Sequence, residues 1–262
     1  MTPSPADPAV RSRLYLHAVL PCLADLAAHD LAAREILEGA RGALAFRVLG
    51  GPAATVRFDG PAVCHQPCRV APDAELLFLS SAHLNAFFSG KKWALPLPLW
   101  GFWRVGLLAR FSRLAKRLEA VLDGAPAILA IAEGRRLHAR LSLIAAGLGL
   151  GPLAEGDAEA QGMLRALPRG LASFSIDGEA DTTVWFDNAA PPAAGWGEPP
   201  SRPAARVTFG DVETAYGALR DEIDTLAAVG SCKIRVDGLV PLADGLNFVM
   251  ERLRVYLQPA KP

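Results

Sequence analysis

Residues 64 to 68, CHQPC, put two thiols and an imidazole within five positions, the donor types of a zinc site. A structural zinc needs a fourth ligand and usually a second ligand pair. None of His17, His29, His83 or His138 has such a companion in sequence. Two small buried thiols on a strand are the simpler reading, and no metal is expected. For nucleophilic chemistry a GxSxG elbow is absent; the nearest serine, Ser231 between Gly230 and Cys232, precedes a strand instead of opening a helix. Asp221, Glu222 and Asp224 fall on one short charged helix and read as solvated. An acid held in an apolar cavity would have a raised pKa fit for catalysis, but the sequence singles out none. Residues 149 to 154, GLGPLA, have the form GxGxxA, but a dinucleotide turn needs a buried strand before it and a parallel strand after it, and this segment lies in a helical stretch. No catalytic residue and no cofactor follow from these positions.

The most unusual segment is KKWALPLPLWGFWRVGLLARFSRLAKR, residues 91 to 117, with seven basic residues, no acid, and Trp93, Trp100 and Trp103 beside Arg104. Tryptophan with cations and exposed apolar residues suits a membrane or partner contact, the rings at headgroup depth and the cations against anionic lipid. The plainer reading packs the aromatics into the core between two halves and leaves the cations as the solvated face of a helix. Arg110, Arg113 and Arg117 falling away from Leu108, Phe111 and Leu118 favours it.

Lys plus Arg and Asp plus Glu number 27 each, so no net field holds nucleic acid. Residues 1 to 128 carry 14 basic and 10 acidic side chains, leaving 13 and 17 beyond, so the halves stand near +4 and −4. Apolar residues make up 51% of the chain, compatible with an internal apolar cavity, yet no uninterrupted apolar run is long enough to span a bilayer. The N-terminus has acid and proline where a signal peptide wants a basic start and an apolar block, and four scattered cysteines make no disulfide framework; a cytoplasmic protein is expected.

The elements that must position these residues come twice. GALAFRVLGGPAATVRFDG, residues 42 to 60, aligns without a gap on GLASFSIDGEADTTVWFDN, residues 170 to 188, Phe58 and Asp59 falling on Phe186 and Asp187. After a disordered-looking start to about residue 10, a helical pattern runs from Leu14 to Gly39, broken at Pro21. A hairpin follows (43 to 48 and 54 to 58), then strands near Val63 and over 75 to 79, a Ser-capped helix SAHLNAFF, an extended stretch over 91 to 100, and a helix over 101 to 122. The second half repeats the order: a helix over 136 to 167 weakened by Gly147, Gly149, Gly151 and Pro152; a hairpin (171 to 176 and 182 to 186); a Pro-rich loop over 188 to 205; a strand over 206 to 209; a helix from Asp211 to about Leu226; a strand over 233 to 237; and a helix over 240 to 257. In that loop Trp196 stands between Gly195 and Gly197, a lid in prospect. The expected fold is α+β in two units, 1 to 125 and 126 to 262, each a twisted, mainly antiparallel sheet covered by helices.

The second half, from SFSIDGEADTTVWF through VTFGDVETAYGAL to SCKIRVDGLVPLADGLNFVMERL, resembles the sterol carrier protein 2 family, with Lys233, Ile234, Val236 and Gly238 at corresponding places. The first half departs from it where KKWALPLPLWGFWRVGLLARF stands for the strand and its acidic turn. The resemblance implies two tandem sterol-carrier-like units, non-catalytic, with an apolar tunnel between sheet and helices for a fatty acyl chain, sterol or other lipid-like molecule. By order along the chain it nominates Phe87, Phe88, Leu107, Leu108 and Phe111 in the first unit and Leu239, Leu242, Leu246 and Phe248 in the second. Each buried methylene is worth about 0.8 kcal/mol, so an alkyl chain needs almost no polar contact. The rival expectation is an interaction subunit supporting a partner enzyme, its cavity filled by Phe87, Phe88, Trp100, Phe102 and Trp103. An enzyme acting on a lipid-like substrate is a third.

Overall fold

Alternating apolar residues in two stretches of each half form sheets, and the intervening apolar stripes form the helices that cover them. A computed structural model of the chain describes residues 7 to 101 and 103 to 257. Asp7 caps α1 (Pro8–Leu14), so the helical stretch starts earlier than its polar opening foretold. It runs through a π-helical turn, Tyr15–Val19, where the Leu20 N–H reaches the Tyr15 carbonyl at 3.0 Å. Pro21, which has no N–H to give, follows this widened turn. Next come α2 (Cys22–His29), α3 (Leu31–Leu37), β1 (Arg41–Val48), β2 (Ala53–Asp59), β3 (Ala62–Gln66), β4 (Ala74–Phe78), α4 (Ser81–Phe88) with Ser80 as its cap, β5 (Leu97–Trp100) and α5 (Val105–Leu122).

Beyond Gly124 the order is α6 (Pro126–Leu129), α7 (Ala132–Gly156), α8 (Ala158–Ala166), β6 (Leu171–Ile176), β7 (Glu179–Asp187), β8 (Ala193–Trp196), β9 (Ala205–Phe209), α9 (Val212–Leu219), α10 (Thr225–Gly230), β10 (Ile234–Gly238) and α11 (Val240–Leu257). The chain divides into two compact units between Asp123 and Gly124. The sheets run β3-β2-β1-β4-β5 and β8-β7-β6-β9-β10, one five-strand order built twice. In each, only the central pair, β1 with β4 and β6 with β9, is parallel. The fold is therefore α+β, with two five-stranded, mainly antiparallel sheets covered by helices.

The two hairpins differ in register. Leu44 pairs with Ala74 and Ala172 with Ala205, so β1 and β6 match as aligned. Gly42 and Gly170 open them with φ of 131° and 145°, a conformation only glycine takes easily. Yet Leu44 faces Val56 whereas Ala172 faces Phe186, so β7 is displaced by two residues against the gapless alignment. Phe58 and Phe186 are thus not equivalent. An even shift keeps every side chain on its face, which is why the alternation still matched.

Four further expectations are corrected. The helix expected from Asp211 to Leu226 is two helices, with Asp221 and Glu222 between them; Asp224 caps α10 through the Leu226 and Ala227 N–H groups. The Pro-rich loop contains β8, and Trp196 Nε1 donates to the Asp181 carbonyl at 2.6 Å, which makes it part of a sheet edge and not a lid. The helix expected over 136 to 167 is α7 and α8, split at Asp157. Finally, α7 keeps its glycines because it lies on the sheet, a Cβ at Gly147 falling 2.4 Å from Val184 Cγ2. This helix is long and apolar enough for a membrane span, but 78% of its most apolar stretch is buried. Its buried Arg140 pairs with the buried Glu179, which Arg136 also contacts, and with the exposed Asp181 at 2.9 Å.

Candidate functional site

The basic, aromatic segment becomes an exposed ridge along one edge of the N-terminal sheet. Ala94 is buried and holds the approach to β5, and His83 reaches the Leu95 carbonyl at 3.0 Å, so the flanking side chains project outward. Trp93, Leu95, Trp100 and Trp103 are 70, 72, 57 and 56% exposed, with Leu97, Leu99 and Val105 exposed beside them. These tryptophans do not fill the core of the N-terminal unit. Strand β5 pairs only with β4, from Leu77 opposite Leu97 to Glu75 opposite Trp100, and all four of its residues are exposed. Pro96 and Pro98 lack N–H groups and blunt this edge against further strand pairing.

Gly101 turns the ridge into α5. It has φ of 69°, and a Cβ there would fall 2.0 Å from the Asp73 carbonyl oxygen. The chain then bends so that the Arg104 N–H meets the Gly101 carbonyl at 2.8 Å and the Arg104 guanidinium meets Asp73 at 2.5 Å. Asp73 also accepts from the Ala43 N–H at 2.8 Å, and this bond, with Arg104, holds its carboxyl below the usual range. The Trp100 and Trp103 rings meet edge to face at 5.2 Å.

At the start of α5 lies a cleft of about 330 Å³ lined by Gly39, Arg41, Trp103, Arg104, Gly106, Leu107 and Arg110. Arg110 was read from sequence only as part of a solvated stripe, and Arg41 not at all, because residues so far apart in sequence give no local signal. Arg117 of the same stripe is not a free surface cation: it meets Asp30 at 2.7 Å.

The nominated apolar residues separate. Phe87 and Phe88, half-buried, and the buried Phe111 join Tyr15, Phe46 and Phe78 in one ring cluster between sheet and helices, with centroids 5.0 Å apart for Phe46–Phe111 and Tyr15–Phe88 and 5.4 Å for Phe78–Phe87. Phe46 and Phe78 were missed although they lie on alternating strand positions. Leu107 is buried and Leu108 half-buried on α5. In the C-terminal unit Leu242 and Leu246 are fully buried, Leu239 is half-buried, and Phe248 is exposed on the outer face of α11, away from any lining position. Of the residues expected to fill the cavity, Trp100 and Trp103 stand outside, and Phe102 lies outside the described residues.

The remaining chemical candidates have local structural duties. Cys64 and Cys68 are exposed, not buried as expected, and His65 Nε2 is engaged with the Leu16 carbonyl at 2.8 Å. Ser231 donates to the Ala227 carbonyl at 2.8 Å at the end of α10. Asp221 pairs with Arg254, and Glu222 with Arg220 at 2.6 Å. GLGPLA lies inside α7 and makes no phosphate-binding turn.

No family model and no curated protein matches the chain. Among solved structures it is similar to the sterol carrier protein domain 2 of Helicoverpa armigera, with a TM-score of 0.33 and 14% identity over 46% of this chain and 93% of that one.

Proposed function

We propose that this protein binds an apolar, lipid-like molecule without transforming it chemically, and that it does so at an anionic lipid surface met by the N-terminal unit. The observation that carries the reading is the ridge: Trp93, Leu95, Leu97, Leu99, Trp100 and Trp103 exposed together, with Lys91, Lys92 and Arg104 among them. A contiguous apolar rim of this kind on a soluble domain marks an interaction surface, and cations beside tryptophan select a negatively charged interface. The sequence resemblance to sterol carriers supports a fatty acyl chain, sterol or similar molecule as ligand, and a cytoplasmic protein as its carrier. Organic extraction of purified protein followed by mass spectrometry, together with sedimentation on anionic vesicles, tests it. One lipid class near one equivalent per chain, and vesicle binding lost in the Trp93→Ala/Trp100→Ala double variant, is the expected result. Lipid-free protein that ignores vesicles would overturn the proposal.

A second reading has its own observation. The ring cluster of Tyr15, Phe46, Phe78, Phe87, Phe88 and Phe111 occupies the place where the resemblance puts a tunnel. That favours an interaction subunit supporting a partner enzyme, with the ridge as its docking edge. Lipid-free protein on extraction, joined to a specific partner that the ridge variants lose, would establish this alternative.

A further inference from the structure

We infer that the cleft at the start of α5 binds a phosphate-bearing anion, held chiefly by Arg110, with Arg41 and Arg104 at its rim. This rests on the lipid-surface reading and names the chemistry that surface presents: a phospholipid headgroup phosphate, or a soluble phosphate ester of the same kind. Three guanidinium side chains line the cleft and no carboxylate does. Two of them are partly neutralised, Arg41 by Asp59 at 3.3 Å in an exposed pair and Arg104 by Asp73 at 2.5 Å. Among the described residues Arg110 has no acidic partner within 4 Å.

Its guanidinium lies between two positions without side chains. A Cβ at Gly106 would fall 3.7 Å from Arg110 Nη1, and one at Gly39 would fall 3.9 Å from Nη2. The fork is therefore walled on two sides by bare backbone, so a ligand meets little steric hindrance there. The opening turn of the 18-residue α5 adds to the positive potential, since no side chain accepts from it and it holds no acid. A guanidinium fork matches a tetrahedral phosphate through paired N–H bonds. Several forks around one centre fit phosphate, with its three or four oxygens, better than a carboxylate with two.

Trp103 and Arg104 belong to both the cleft and the ridge, so a ridge seated on a bilayer brings the cleft mouth to headgroup level, where lipid phosphates lie.

The full-length chain, Arg110→Gln, and Arg113→Gln are compared; Arg113 is an exposed cation on the same helix that does not line the cleft. Probes are phosphatidylcholine vesicles with and without phosphatidic acid, followed by sedimentation and tryptophan emission, and soluble glycerol 3-phosphate, followed by calorimetry. A charge-assisted bond of about 1.5 to 3 kcal/mol corresponds to a loss of about tenfold or more. Arg110→Gln should show such a loss on phosphatidic acid vesicles, and Arg113→Gln about twofold or less. Glycerol 3-phosphate that binds wild type but not Arg110→Gln, with no vesicle binding by any form, would keep the cleft, assign it a soluble phosphate ester, and overturn the lipid-surface reading alone. Vesicle binding weakened equally by both substitutions, with no uptake of glycerol 3-phosphate, would overturn the cleft and leave the lipid-surface reading standing.

Discussion

Gly147 on α7 lies so close to Val184 on β7 that a methyl group on its Cα would come within 2.4 Å of Val184 Cγ2 and 2.6 Å of Val184 Cβ. Neither helix nor strand backbone can give way without disturbing the sheet face. Gly147→Ala should therefore destabilise the C-terminal unit by about 1 to 3 kcal/mol, although alanine gains about 1 kcal/mol in helix propensity. Gly162 on α8, where a Cβ meets nothing within 4 Å, is the control, and Gly162→Ala should stabilise slightly. Urea unfolding of both variants checks the pair; equal effects would mean that α7 does not rest on Val184.

Asp157 closes the C-terminal unit. It caps α8 by accepting from the Ala160 N–H at 2.7 Å, and it accepts from buried Arg252 at 2.8 Å and from the Tyr256 hydroxyl, tying the end of α11 to the α7–α8 corner. Burial alone would raise its pKa, but the bonds from Tyr256, Ala160 and Arg252 outweigh burial and hold the carboxyl below its usual range. Asp157→Ala should cost about 1 to 3 kcal/mol, because it removes a cap and leaves Arg252 and Tyr256 without this acceptor, although Arg252 keeps Glu159 at 3.0 Å. Asp157→Asn, which keeps the capping oxygen, should cost less. Thermal denaturation of the two variants measures the difference.

Phe111 packs on Phe46 with ring centroids 5.0 Å apart. If the cluster is a filled core, Phe111→Ala should lose about 3 to 5 kcal/mol. A loss below about 1 kcal/mol would mean that the ring borders room for a ligand. Pairing chemical denaturation with uptake of a fluorescent fatty acid by the variant separates the carrier from the interaction subunit.

Acidification should weaken the N-terminal unit in two stages. Burial, then His65, then Arg13 carry His17 from its usual 6.5 down to about 4, and burial also lowers His65, against its bond to the accepting Leu16 carbonyl, which raises it. Between pH 6.5 and about 4 the unfolded chain takes up a proton at His17 that the folded chain refuses, so stability falls through that window and is fully present above it. Discounted for partial exposure, the loss is about 2 kcal/mol. The second stage belongs to Asp73, whose lowered pKa removes its contribution as pH falls below the ordinary carboxylate range. Urea midpoints of wild type and His17→Phe across this range check the sign: the variant should show a smaller first stage, retaining the part owed to His65, and keep the second.

The sequence by itself determined most of the strands, the helical stretches and their doubled order, though not β8 or the breaks at Asp157 and between α9 and α10, because period-2 and period-3.6 apolar patterns are local and survive without knowledge of partners. It located the tryptophan-rich edge by composition alone. Tertiary structure decided the rest. The two-residue displacement of β7 was invisible because an even shift leaves the pattern of faces intact. Trp93, Trp100 and Trp103 read more readily as core until the edge position of β5 put them at the surface of the N-terminal unit. Phe248 and Phe111 sit on helices with similar apolar stripes, yet only the packing of each helix on its sheet sends one ring outward and the other into the cluster with Phe46. Arg41 and Arg110 share a cleft only because Gly39, before β1, lies against the first turns of α5. A pattern along the chain records which residues seek burial; which of them meet depends on long-range pairing, which no local window contains.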